Sequence, residues 1–108
     1  MDFVKVAETS EIGVGERKVV RIQGKEILIA NVGGTFYAMG NRCTHEGADL
    51  SEMPLEGTFV ICPKHKAKFD ITNGKVVYRP KYWIYEIKLG DAPSYEVKVD
   101  GNSIMLKL

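Results

Sequence analysis

Cys43-Thr44-His45-Glu46-Gly47-Ala48-Asp49-Leu50 and Cys62-Pro63-Lys64-His65-Lys66-Ala67-Lys68-Phe69-Asp70 are the stretches on which the reading of this chain turns. Each offers a thiol and an imidazole at short range: Cys43 and His45 enclose one residue, Cys62 and His65 enclose two. Sixteen residues lie between His45 and Cys62, and the two blocks use both cysteines and both histidines of the protein. Unrelated structural duties would not place each His within three residues of a Cys. The four side chains are therefore the candidate ligands of a metal or cluster, Cys through a thiolate and His through a neutral ring nitrogen.

The rest of the chain constrains what such a centre could serve. At 108 residues it has the length of one domain (1–108), and a chain that short buries only roughly 60 to 70% of the surface its unfolded form exposes. A core and a large catalytic cavity compete for that space. The 44% apolar and 27% charged residues are those of an ordinary globular protein. A net charge of +1, with no block of five like charges, provides no field for nucleic acid. The start, Met1 to Ala7, carries an acidic residue at once and alternates as no signal peptide does, and no apolar run approaches the roughly 20 residues of a membrane span. A cytoplasmic protein without membrane attachment, monomeric in solution, is expected. Two cysteines are too few for a disulfide scaffold, and in a reducing compartment such a pair more often binds metal or does redox chemistry.

Outward from the two blocks, short alternating or β-branched runs predict strands over 3–7, 16–22, 26–32, 35–39, 58–61, 75–78, 82–89, 95–99 and 104–108. Turn signals at Gln23-Gly24-Lys25, Gly33-Gly34, Asn73-Gly74 and Asp100-Gly101 punctuate them, the last two being strong hairpin dipeptides. Irregular structure is expected over 52–57. The fold class is all-β: an antiparallel β sandwich or barrel with an inserted subdomain near residues 41–81, where both histidines and both cysteines fall. Trp83 and Tyr82 are expected in the core, since large aromatics in strands mainly bury area.

A donor set of two Cys and two His has more than one reading. Structural zinc takes it too, although zinc ligand pairs usually enclose about two to five residues and Cys43-x-His45 encloses one. A Cys43–Cys62 disulfide is a second reading. A thiol nucleophile with a His base is a third, but it would need neither the second Cys nor the second His.

C-x-H followed by C-x-x-H at this separation resembles the signature of Rieske iron-sulfur proteins, in which two Cys hold one iron and two His the other. The likeness extends past the ligands, to Glu46-Gly47-Ala48-Asp49-Leu50 in the first loop and to Phe69-Asp70 with Thr72-Asn73-Gly74 after the second. Pro80 stands about where the family carries a third, proline-containing loop. The resemblance implies one [2Fe-2S] cluster per chain, held by Cys43, His45, Cys62 and His65, with both histidines toward solvent. It also implies a function that is not enzymatic: one-electron carriage from a reductase to a terminal acceptor such as an oxygenase. A small Rieske-like subunit of a larger redox enzyme, of the nitrite reductase type, is the alternative, and a zinc-stapled β module a further one.

Mixed ligation has an electrostatic logic. With neutral imidazoles the oxidised cluster is formally uncharged and becomes singly negative on reduction, whereas an all-Cys cluster starts doubly negative. Adding an electron to the less negative site costs less, which places Rieske potentials at about −150 to +300 mV against about −400 mV for plant-type ferredoxins. High-potential family members add a disulfide between the loops, and Ser and Tyr hydroxyls beside the cluster. The matching positions here are Ala48, Lys64, Ala67 and Phe69, so those hydrogen bonds are absent and a potential low in the Rieske range is expected. Lys64, Lys66 and Lys68 alternate around His65; Lys66 departs from the family's usual Gly, and the three are a candidate docking face for an acidic partner.

Overall fold

The computed structural model describes residues 3–42, 49–62, 67–78, 81–82, 85–86 and 92–108. In chain order the elements are β1 (Phe3–Glu8), a 3-10 turn η1 (Thr9–Glu11), β2 (Arg17–Ile22), β3 (Lys25–Val32), β4 (Thr35–Gly40) and a second 3-10 turn η2 (Leu50–Glu52). There follow β5 (Leu55–Glu56), β6 (Phe59–Cys62), β7 (Ala67–Asp70), β8 (Val76–Tyr78), β9 (Lys81–Tyr82), β10 (Tyr85–Glu86), β11 (Ser94–Tyr95), β12 (Val97–Asp100) and β13 (Ser103–Lys107). Among the described residues there is no α-helix, in accord with the all-β expectation.

Three sheets stack around two cores. The middle sheet has the order β11-β4-β3-β2, a second sheet β1-β13-β12, and a third β5-β6-β7-β8, with β9 and β10 pairing separately. Pairing is antiparallel throughout. The middle sheet is buried on both faces because β3 is apolar on both. Successive strand residues point to opposite faces, and Ile27-Leu28-Ile29-Ala30 are all fully buried. Ile27 and Ile29 join Ala7, Val20, Ala38, Ile104 and Leu106 in the core shared with β1-β13-β12. Leu28 and Ala30 join Met39, Leu50, Val60, Phe69, Ile71 and Ala92 in the core shared with β5-β6-β7-β8. Each large side chain buried in this way contributes about 1.5–3 kcal/mol. Arg17 reinforces the second contact by donating from Nη1 to the carbonyl of Met53.

Turn chemistry sets the register. The pair Ile22↔Lys25 leaves Gln23-Gly24 as a two-residue loop, with φ of 52° and 73°. Positive φ at both positions gives the primed turn whose twist matches a hairpin's strands.

Several local expectations are corrected. Where one strand is expected over 82–89, the described residues form two short strands that pair, Tyr82↔Tyr85 and Lys81↔Glu86, a reversal that the apolar pattern alone does not register; 83–84 and 87–89 lie outside the described residues. Asp100 pairs with Ser103, so Gly101-Asn102 forms that turn rather than Asp100-Gly101. Asn73-Gly74 is not a two-residue hairpin loop: Asp70 N–H donates to the Lys75 carbonyl, and the Asp70 carbonyl accepts from both Asn73 and Gly74 N–H. The Asp70 carboxylate accepts from Thr72 N–H and Oγ1, stabilising this wider turn. The segment 52–57 contains β5 rather than irregular structure alone, and β7 was not expected as a strand at all. Trp83 lies outside the described residues, as do Pro80 and the side chain of Tyr82.

Gly74 joins the wide turn to the segment before β11. Its φ is +73°, its carbonyl accepts from Ala92 N–H at 2.7 Å, and a Cβ there would drive into the Ala92 carbonyl oxygen. Gly74→Ala is expected to cost at least about 1–3 kcal/mol for the left-handed backbone, with the clash in addition. Thermal unfolding checks this: a fall of several degrees is expected, and an unchanged midpoint would contradict the packing described.

Candidate metal centre

The four candidate ligands fall on two connections whose roots are well defined. The first leaves β4 at Gly40. Asn41 N–H donates to the Glu26 carbonyl at 3.0 Å, continuing the β3–β4 ladder by one step. Arg42 then bridges to Asp49, and Leu50 N–H donates back to the Asn41 carbonyl at 2.7 Å. The six residues 43–48, with Cys43 and His45, thus span a bridge closed on both sides. The second connection is the β6–β7 hairpin. Its register runs Phe59↔Asp70, Val60↔Phe69, Ile61↔Lys68 and Cys62↔Ala67, so Cys62 ends one strand and residues 63–66, with His65, make the crossing.

Both roots stand on one core. Leu50, next to Asp49, is fully buried with Val60, two residues before Cys62, and with Phe69 opposite Val60. The roots of the two connections therefore share one apolar core. Cys43, His45 and His65 themselves lie outside the described residues, as do Ala48, Lys64 and Lys66; of Cys62 and Ala67 only the backbone is described. Lys68 is half-buried on β7, and Phe69 belongs to the core. Among the described residues no three Cys, His, Asp or Glu side chains gather to hold a metal.

The donor set fits a [2Fe-2S] group with unequal irons. Each connection supplies one thiol and one imidazole, and the shared core of Leu50, Val60 and Phe69 joins the connections, as a group bonded to both requires. The short β6–β7 crossing leaves Cys62 at the edge of a paired strand, where the backbone is fixed by the Cys62↔Ala67 pair.

The root of the first connection carries a polar network that the sequence reading did not single out. Asn41, only 1% exposed, donates through Nδ2 to Glu26 Oε2 and to Asp49 Oδ1, each at 2.7 Å. Glu26 also pairs with Arg42, Nε to Oε2 at 2.9 Å, and with Arg21 at 3.5 Å. Asp49 caps η2, accepting from Ser51 N–H at 3.0 Å and from Ser51 Oγ at 2.6 Å. The hydrogen bond from Asn41, with help from Arg42, holds the Glu26 carboxyl below its ordinary pKa. Ser51 and then Asn41 do the same for Asp49. In each case donors stabilise the ionised form.

Comparison with known proteins accords with this arrangement. The model of the Rieske [2Fe-2S] domain family matches residues 2–96. The ferredoxin component of the naphthalene 1,2-dioxygenase/salicylate 5-hydroxylase systems of Ralstonia sp is 34% identical over 107 residues, 99% of this chain and 96% of that protein. The ferredoxin of carbazole 1,9a-dioxygenase from Nocardioides aromaticivorans IC177 superposes with a TM-score of 0.80 at 24% identity, covering 98% of this chain and 97% of the other. A chain from the complex of reduced oxygenase and oxidized ferredoxin in carbazole 1,9a-dioxygenase superposes equally, TM-score 0.80, at 28% identity over 96% of this chain and 100% of its own length.

The lowered pKa values of Glu26 and Asp49 have a sign. A carboxyl depressed in the folded state contributes stability above its unfolded pKa and loses it as pH falls through the folded one. Stability is therefore expected to hold from neutral pH down to about 5 and to fall below that. Asp49→Ala should flatten this acid limb while lowering stability at neutral pH. Thermal unfolding of both proteins between about pH 3 and 7 checks it; parallel curves would show that Asp49 makes no such contribution.

Proposed function

Because the chain belongs to the Rieske [2Fe-2S] domain family, we propose that Cys43, His45, Cys62 and His65 hold its one [2Fe-2S] cluster and that the protein passes single electrons from a reductase to the terminal oxygenase of an aromatic-ring dioxygenase system. The observation that carries the ligand reading is the attachment of both Cys/His connections to the single core of Leu50, Val60 and Phe69. The protein is a ferredoxin, an electron carrier rather than a catalyst. We read residues 1–108 as one domain, with 41–81 as the cluster-binding part, acting as a monomer in the cytoplasm. Among the described residues no helix is long and apolar enough to cross a membrane.

When bound, the cluster takes up one electron and gives it back. The chain's contribution is to hold two thiolates and two neutral imidazoles on connections whose ends are fixed by backbone pairing. The antiparallel pair Cys62↔Ala67 fixes the backbone at both ends of residues 63–66. The Arg42↔Asp49 bridge and the Leu50-to-Asn41 hydrogen bond do the same on either side of residues 43–48. Phe69 fills the core as a hydrocarbon, where a tyrosine would offer a hydroxyl donor. That supports a potential low in the Rieske range. Lys64, Lys66 and Lys68 remain our candidate docking face for the acceptor.

Iron and acid-labile sulfide analysis, followed by reconstitution with a dioxygenase reductase and terminal oxygenase, tests this reading. The purified chain is expected to contain two irons and two sulfides and to support turnover that stops when it is omitted. His45→Ala and Cys62→Ser should lose both cluster and turnover, whereas Thr44→Ala should keep them. A zinc-loaded, sulfide-free protein from anaerobic, iron-replete cells would refute the reading.

A further inference from the structure

The Asn41 amide occupies a position that only a neutral double donor can fill. Its Nδ2 lies 2.7 Å from a carboxylate oxygen of Glu26 on β3 and 2.7 Å from a carboxylate oxygen of Asp49 on the far side of the 43–48 connection. The two acids converge on one nitrogen and would repel each other without the pair of N–H groups between them. The amide has one orientation: reversed, its oxygen would face both carboxylates. Among the described residues Asn41 Oδ1 has no partner, so the side chain is committed to its two donations. Its backbone joins the same closure, giving N–H to the Glu26 carbonyl and accepting from Leu50 N–H. Glu26 in turn is secured to Arg42, the last residue before Cys43.

We propose that Asn41 is a positioning residue for the cluster, its buried amide holding Asp49 and Glu26 of the middle sheet together at the root of the 43–48 connection, and so setting where Cys43 and His45 present their ligand atoms. The proposal rests on Cys43 and His45 being ligands. The fold contains its own control. Asn31, 5% exposed, is equally buried but serves a different turn: its Nδ2 donates to the Ile12 carbonyl and its Oδ1 accepts from Gly34 N–H, both at 2.9 Å. Losing Asn31 injures the fold with no tie to residues 43–48. Losing Asn41 opens the connection that carries two of the four ligands.

The test uses the cluster-loaded protein and three variants, Asn41→Asp, Glu26→Gln and Asn31→Asp. Three readouts are taken: the rate of iron release to an excess of chelator, the electron paramagnetic resonance line shape of the reduced protein, and the thermal midpoint. Asn41→Asp, which keeps the shape but sets a third acid against two, should release iron at least about tenfold faster and alter the line shape. Glu26→Gln, which leaves Asn41 an uncharged acceptor, should give a milder rise of about two- to threefold, and it carries the test should Asn41→Asp fail to fold. Asn31→Asp should lower the thermal midpoint while leaving line shape and release rate near those of the parent. Unchanged release and line shape on altering Asn41 and Glu26, or an equal acceleration by Asn31→Asp, would overturn the clamp and leave the ligand assignment standing. A parent protein that holds no iron and sulfide would overturn both.

Discussion

β3 cannot present either face to water, and the architecture follows from that. Ile27 and Ile29 demand cover on one side, Leu28 and Ala30 on the other. β1, β12 and β13 provide the first cover and close the sandwich. η2, β6 and β7 provide the second, bringing the connections that carry Cys43, His45, Cys62 and His65 onto a sheet already immobilised from behind. A redox centre benefits from such a mounting, because supports that do not move when one electron arrives keep the cost of rearrangement small. The two cores thus divide the work between sandwich and cluster mounting, and one strand joins them.

Polar groups then define the mounting more finely than hydrophobic burial can. Burial of Leu50, Val60 and Phe69 brings the two connections near each other but tolerates small slips, since apolar contact is non-directional. Hydrogen bonds to charged acceptors are directional and stronger than neutral ones. The convergence of Glu26, Asn41, Arg42 and Asp49 on one side, and the Asp70 turn with Gly74 and Ala92 on the other, add that precision. The first network flanks residues 43–48, and the second fixes the end of β7 opposite the 63–66 crossing.

Much of this was legible in the chain. The proposed donor set stands out because every Cys and His falls in two tight pairs, and most sandwich strands were readable because alternation and glycine turns agree there. The third sheet was harder. Ala67-Lys68-Phe69-Asp70 offers one large apolar residue, Phe69, and its strand exists because that ring is buried opposite Val60, a tertiary effect. Tyr82 and Tyr85 end an unbroken apolar run, Tyr82-Trp83-Ile84-Tyr85, with no Gly, Asn or Pro to announce that they pair with each other. Asn41 gave no local sign either: its two acid partners lie 15 and 8 positions away, and only the fold brings them together.

The central claim is a cluster with mixed Cys and His ligation, and its clearest physical signature is the ease with which it accepts an electron. A redox titration of the purified protein, followed by its visible absorbance, measures this directly. The account predicts a single one-electron transition within about −150 to +300 mV and toward the lower end of that span. A transition near −400 mV would show that neutral imidazoles do not raise the potential, against ligation by His45 and His65, and a colourless protein with no transition would indicate zinc; either result would contradict mixed ligation.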